Sequence, residues 1–157
     1  MYDQEEAKQI RLEFWNKFTV ISEIRRRKLG KSRHWIMHHT GLPALNLKFD
    51  INETEKWVSV GFEVKSKNVA DQLFYYYKLQ SLKPFIEKAL GPETLWEDMF
   101  GTEKDKLISR VHLKLSGVSI FDKENWPEMF EFMFDKMLAI EDVFIEYKDF
   151  IEMQTEE

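Results

Sequence analysis

The sequence predicts an α+β fold, a largely antiparallel sheet of about five strands in the order α-β-β-β-α-β-β-α, packed against long amphipathic helices. Three observations lead there. Apolar residues recur every three or four positions near both ends of the chain, which is the period of a helix. Between residues 45 and 65 they alternate singly with polar residues, which is the period of a half-buried strand. Short polar turns join the alternating segments, as in antiparallel hairpins.

Taken in order, Ile10, Phe14, Phe18, Ile21 and Ile24 mark a first amphipathic helix from about Gln4 to Leu29, ended by Gly30, with mainly charged residues outside. A strand is expected at His34 to His39. Two clearer strands follow, Leu45 to Ile51 and Lys56 to Lys65, joined by the turn Asn52-Glu53-Thr54-Glu55. Asn68 caps a second helix that runs to about Leu90, where Gly91-Pro92 stops it, and Pro84 is expected to kink or break it. Strands at Thr94 to Met99 and Leu107 to Leu115 flank a loop around Gly101 to Asp105. In the second of them Leu107, Val111, Leu113 and Leu115 are expected to face inward.

The closing helix is the longest and most apolar. Asn125-Trp126-Pro127-Glu128 reads as a capping box, with Asn125 as the cap. Trp126, Phe130, Met133, Met137, Ile140, Phe144, Tyr147 and Ile151 share its core face. Phe134, Leu138 and Ile145 form one apolar shoulder, and Phe132, Val143 and Phe150 the other. A helix so widely apolar must be covered on more than one side, by the rest of the chain or by a partner.

Length and composition bound the function. The 157 residues carry no Ser/Pro-rich linker and fit one α+β domain over 1–157, with a core rich in rings, since 15% of the residues are aromatic. There is no cysteine, so thiolate zinc sites and cysteine nucleophiles are excluded. The amphipathic, acidic start and the lack of any bilayer-length apolar stretch point to a cytoplasmic protein without membrane contact. A net charge of −5 gives no general attraction to nucleic acid, so such binding needs a local patch.

The opening EEAKQIRLEFWNKF, the HHTG stretch before the two alternating strands, LWEDM, and LSGVSIFDKENWPEMFEFM before the last helix together span nearly the whole chain. In these the chain resembles a bacterial family called domain of unknown function 4268. The resemblance implies an α+β domain of this length without an agreed activity, sometimes joined to nuclease-like domains in longer chains. It supplies no catalytic motif that maps onto this sequence, and the basic run after the first helix and Pro84 depart from it.

Several constellations bear on chemistry. Arg25, Arg26, Arg27 and Lys28, continuing to Lys31, Arg33 and His34 beside Trp35, form a basic segment able to hold phosphates. Equally, cations at a helix C-terminus complement its macrodipole. With Lys48, Trp57, Lys65, Arg110, His112 and Lys114 on the polar side of the sheet, the segment would suit single-stranded nucleic acid if the two lie side by side. Asp50 and Glu63-Val64-Lys65 resemble the acids and lysine of PD-(D/E)xK metal nucleases. A turn centred at Glu53-Thr54 would set Asp50 opposite Trp57 and Glu63 opposite Ala44, about 20 Å apart and too far to share a metal. His34, His38 and His39 are read as ordinary surface histidines, since the outer two lie about 13 Å apart along a strand. No Gly-rich phosphate loop or nucleophile elbow is present, and no cofactor is implied. The expectation is therefore a non-enzymatic interaction domain, meeting a protein partner or its own copy through aromatic helix surface, with nucleic-acid binding as the alternative and a metal nuclease as the second.

Overall fold

The computed structural model describes residues 2–101 and 107–154. Its elements are α1 (Gln4–Lys28), β1 (Leu45–Asn52), β2 (Trp57–Val64), α2 (Val69–Ser81), α3 (Lys83–Leu90), β3 (Leu95–Gly101), β4 (Leu107–Ser116) and α4 (Trp126–Glu152), with a 3₁₀ turn at Lys123–Asn125 leading into α4. The sheet has four strands in the order β1-β2-β4-β3, and every neighbouring pair is antiparallel. The expected loop at Gly101 to Asp105 lies, after its first residue, outside the described residues.

The fifth expected strand is absent: residues 34–39 run through turns and bends. Trp35, Ile36 and Met37 all pack against the core although they are consecutive, which a pleated strand cannot allow. Their backbone is held by isolated bonds instead of a ladder: the Ile36 N–H donates to Glu141 Oε2 at 2.9 Å, and the Met37 carbonyl accepts from the Leu47 N–H at 3.0 Å. The stretch from Asn68 to Leu90 breaks at Leu82, as Pro84 requires. Leu82 ends α2, Pro84 stands in the first turn of α3, and the N–H groups of Phe85 and Ile86 both reach the Leu82 carbonyl.

All four helices lie on one side of the sheet. Phe18 of α1 meets Phe49 at 5.1 Å between ring centres, Gln72 of α2 donates to Ser109 Oγ, Glu87 of α3 accepts from the Trp96 indole, and α4 packs against β1 and β2. Phe49, Ser109 and Trp96 belong to the same alternating set as Val60, Val64 and Val111, so the opposite set faces away from every helix. Under α4 the core joins Met129, Met133, Met137, Ile140 and Phe144 to Leu45, Leu47, Val58, Val60 and Phe62.

Two helix expectations change. Asn125 is helical itself, and its Oδ1 accepts from the Ser119 N–H; Asp122 caps the preceding 3₁₀ turn by accepting from Glu124. The helical path thus starts three residues earlier than a capping box at Asn125 implies. On α1 the buried residues are Phe14, Phe18, Ser22 and Arg26, a strict four-residue spacing. Ile21 and Ile24, expected inside, are exposed, because the buried line continues through two polar residues. On β4, Leu107 is exposed and Ile108 is buried at the strand's start, the reverse of the expected alternation there.

Candidate functional site

Much of the basic segment is paired within the fold. Arg26 and Glu141 form an ion pair at 2.8 Å with side chains only 3% and 1% exposed. Arg26 Nε also donates to the Ser32 carbonyl, and its guanidinium lies 4.3 Å from the Trp35 ring centre. Arg25 stacks on Phe134 and pairs with Glu131 and Asp135, Lys31 pairs with Asp142, and Arg33 pairs with Glu23. Arg27 and Lys28 make no ion pair with a described residue. The acidic outer face of α4 supplies most of these partners, a tertiary match that sequence spacing does not reveal.

On the open face of the sheet the cations are matched as well. Lys48 Nζ lies 3.0 Å from Glu63 and 3.9 Å from Asp50; Arg110 reaches Asp50 at 3.5 Å; His112 contacts Glu97; and Lys114 rests 4.3 Å from the centre of Trp57. Lys65 stands just beyond β2 and bonds the Ala44 carbonyl through its N–H. The basic segment sits in the helical layer, where Trp35 meets Phe49 and Phe134, so the sheet separates it from these residues. The continuous electropositive platform does not assemble.

The hairpin register differs by two residues from a turn centred at Glu53-Thr54. Asp50 faces Ser59 and Glu63 faces Asn46, because the turn lies one residue later and Asn52 pairs with Trp57. Asp50 and Glu63 consequently come much nearer than about 20 Å, close enough to share one lysine ammonium. That ammonium stands where a metal ion would have to sit. Among the described residues no group of three or more His, Asp or Glu side chains is placed to hold a metal, His34, His38 and His39 included.

Between Lys48 and His112 the central position is Gly61. A Cβ there would lie 2.1 Å from the Val111 carbonyl oxygen and 2.6 Å from His112 Cα, so β4 crosses where a side chain would stand. This close approach buries His112, whose side chain is 4% exposed. Burial pushes its pKa below the ordinary histidine value; the Glu97 contact opposes this, and Arg110 and Lys114 add to it. Between the lowered and the ordinary value the unfolded chain binds a proton that the folded chain does not. Stability from neutral His112 is therefore complete above pH about 6.5 and fades as pH falls through the lowered value. The urea midpoint is expected to rise from pH 5 to pH 7, and His112→Gln to flatten that rise; an unchanged slope in the variant would assign the effect elsewhere.

A concavity of about 1490 Å³ runs between the start of α1, the β1–β2 turn and the loop after β4. Its acids are already engaged. Arg11 grips Glu53 through two nitrogens and holds its carboxyl below the usual range, while Asp3 and Asp122 cap helical turns.

The fold leaves apolar surface on α1, besides scattered exposed residues such as Val69, Tyr77 and Phe85 on the other helices. Val20 is 56% and Ile24 49% exposed, with Ile21 beside them. Beyond Ile21, a groove of about 430 Å³ opens between α1 and the start of α4, floored by Trp126 and Phe130. The shoulders of α4, expected to remain for a partner, are largely covered. Phe134 is buried, Phe132, Leu138, Val143 and Phe150 pack on the core, and Ile145 alone among them is exposed. A signal for this was present: Arg26 on the buried line of α1 and Glu141 on that of α4 are opposite charges that only a buried pair accommodates.

No helix among the described residues is long and apolar enough to cross a membrane. Comparison with curated proteins and with solved structures gives no match. The family model of a domain of unknown function (DUF4268) matches residues 10–148, which takes in every helix and strand at least in part, and the chain belongs to that family.

Proposed function

We propose that this domain is a non-enzymatic interaction module whose partner is a second copy of the same chain, met through the outer face of α1. The observation that carries the reading is the exposure of Val20, Ile21 and Ile24 together on one helix. Glu13, Lys17, Val20, Ile24 and Lys28 share that face at spacings of four, three, four and four.

The face is self-complementary. In an antiparallel pair of α1 helices crossing near residue 22, Val20 of each copy lies against Ile24 of the other, Ile21 flanks the contact, and the helix dipoles oppose favourably. Such a contact is isologous and closes on itself. One helix face per copy is less than the roughly 800 Å² per partner of a standard interface, which sets the expected affinity in the micromolar range.

Sedimentation equilibrium tests the reading. A dimer with Kd of about 1–100 μM is expected, weakened at least tenfold by Ile24→Glu. Ile24 is exposed, so the substitution should leave stability within about 0.5 kcal/mol. A chain that stays monomeric at several times the upper concentration, or a dimer indifferent to Ile24→Glu, would sink it.

A further inference from the structure

We infer that the outer edge of β1, from Leu47 to Ile51, takes an extended segment of a partner protein as a fifth strand, one that carries a basic, an apolar and an acidic residue in succession. Hydrogen bonding to β2 fixes where each backbone group points. The Lys65 N–H reaches the Ala44 carbonyl, so Asn46, Lys48, Asp50 and Asn52, in step with Ala44, are the residues that bond β2. Leu45, Leu47, Phe49 and Ile51 therefore aim their N–H and C=O groups outward. Two of them show it: the Leu47 N–H donates to the Met37 carbonyl, and the Leu45 carbonyl accepts from Thr40 Oγ1. Phe49 and Ile51 have no partner on that side among the described residues.

This half of the edge is also undefended. Sheet edges are ordinarily blunted by a proline, a bulge or an outward lysine, or are covered by a loop. β1 has no proline and no register shift from Leu45 to Asn52, and its lysine, Lys48, turns back to Glu63 at 3.0 Å. The opposite edge, β3, is bulged between Glu97 and Phe100. The segment that covers Leu45 and Leu47 comes from the helical layer, where the Ile36 N–H meets Glu141, and reaches the edge only by turning at Met37, φ 47°.

A slot of about 260 Å³ lies beside the open stretch, lined by Phe49, Trp15, Phe18, Trp35 and Met37. Met37 bonds the outward Leu47 N–H, so the slot sits at this edge, on the helical side of the sheet. An added strand places alternate side chains toward the helices, and the residue opposite Phe49 enters the slot. Arg33 and Glu23 in its lining pair with each other at 3.3 Å, so an uncharged, apolar side chain suits it. Charge sets the neighbours. Lys48 and Asp50 lie on the open face with side chains 42% and 27% exposed. In an antiparallel strand the residues before and after the apolar one stand opposite Asp50 and Lys48, which favour a base and an acid in that order. A second copy does not fit, because its own Phe49 is committed among Trp15, Phe18 and Trp35. Two edges would set slot against slot and fill neither, whereas a free segment brings a side chain of its own.

The test is a titration of the isotope-labelled full chain with the capped peptide Thr-Val-Lys-Leu-Glu-Thr, followed through amide and indole signals. The Phe49 and Ile51 amides and the Trp15 indole should shift, while the Lys48 and Asp50 amides, which bond β2, should move less. N-methylation of the peptide's leucine, on the edge that meets β1, should weaken binding at least tenfold; N-methylation of its glutamate, on the far edge, should not. Ile51→Pro removes an outward N–H and spares the ladder to β2, and Trp15→Ala removes a wall of the slot. Each, checked for retained fold by circular dichroism, should weaken binding at least fivefold. Ile24→Glu should bind the peptide as the parent does, which separates this result from self-association through α1. No shift at millimolar peptide, equal binding of the leucine-methylated peptide, or unchanged binding to both Ile51→Pro and Trp15→Ala would overturn the inference. Equal binding of Thr-Val-Glu-Leu-Lys-Thr would overturn the charge order that defines the occupant.

Discussion

Glu141→Ala should be among the most damaging single substitutions in this chain, with an expected loss of about 3–5 kcal/mol in urea unfolding. Glu141 accepts from Arg26 at 2.8 Å and from the Ile36 N–H at 2.9 Å, and both carboxylate oxygens are thereby engaged. Truncation leaves a guanidinium buried without its counter-charge and a backbone donor without its acceptor. Against a total stability of about 5–15 kcal/mol, that is enough to unfold a marginal domain. The double change Arg26→Met with Glu141→Leu distinguishes stability from specificity. Swapping a buried pair for apolar residues is often neutral or better, so most of the global loss should return. The segment after α1 should not recover, because its ties at Ser32 and Ile36 are gone. Amide exchange at Ile36 should accelerate in the double variant at near-normal global stability. Slow exchange there would show that packing of Trp35 together with the Leu47–Met37 backbone bond holds the segment.

Gly61→Ala is the second large effect expected. The added methyl would meet β4 backbone at 2.1 Å and 2.6 Å, and backbone cannot rotate aside as a side chain does. Overpacking in a core typically costs about 1–3 kcal/mol. Here the clash falls between two central strands, where relief means separating β2 from β4, so the loss should reach or pass the upper end. Asn46→Ala, on the same face of the neighbouring strand, serves as the control and should change stability by less than about 1 kcal/mol. If Gly61→Ala unfolds at the same urea concentration as the parent, the strands have room to part locally and the tight crossing is not a constraint.

How much of this was legible follows from the kind of interaction involved. The strands β1, β2, β3 and β4 and the three long helical stretches were readable because alternation and three-to-four spacing are local consequences of which side of an element meets water. The break at Pro84 was readable for a covalent reason, the missing N–H. The stretch from His34 to His39 misled because its aromatic and β-branched residues imitate a strand, while its Ile36 N–H goes to a carboxylate more than a hundred residues away and its Ile36 carbonyl to the nearby His39 N–H. The hairpin register shifted by two because a four-residue polar stretch does not say where its tight turn lies, and the observed turn uses Lys56 at φ 60°.

The candidate sites divide the same way. Basic residues were visible as a run, yet whether they face a ligand or an acid depends on what α4 brings beside them: Glu131 and Asp135 pair with Arg25, and Asp142 with Lys31. Val20, Ile21 and Ile24 were visible as apolar residues. Their exposure follows only once Arg26 finds Glu141 and rotates the buried line of α1 away from them. By itself the sequence determined the class of fold, the elements with regular spacing, and the absence of thiol chemistry, since each rests on residue type and on neighbours a few positions away. Tertiary structure alone decided which charges are spent inside and which apolar residues remain outside, because each depends on pairings between groups far apart in the chain.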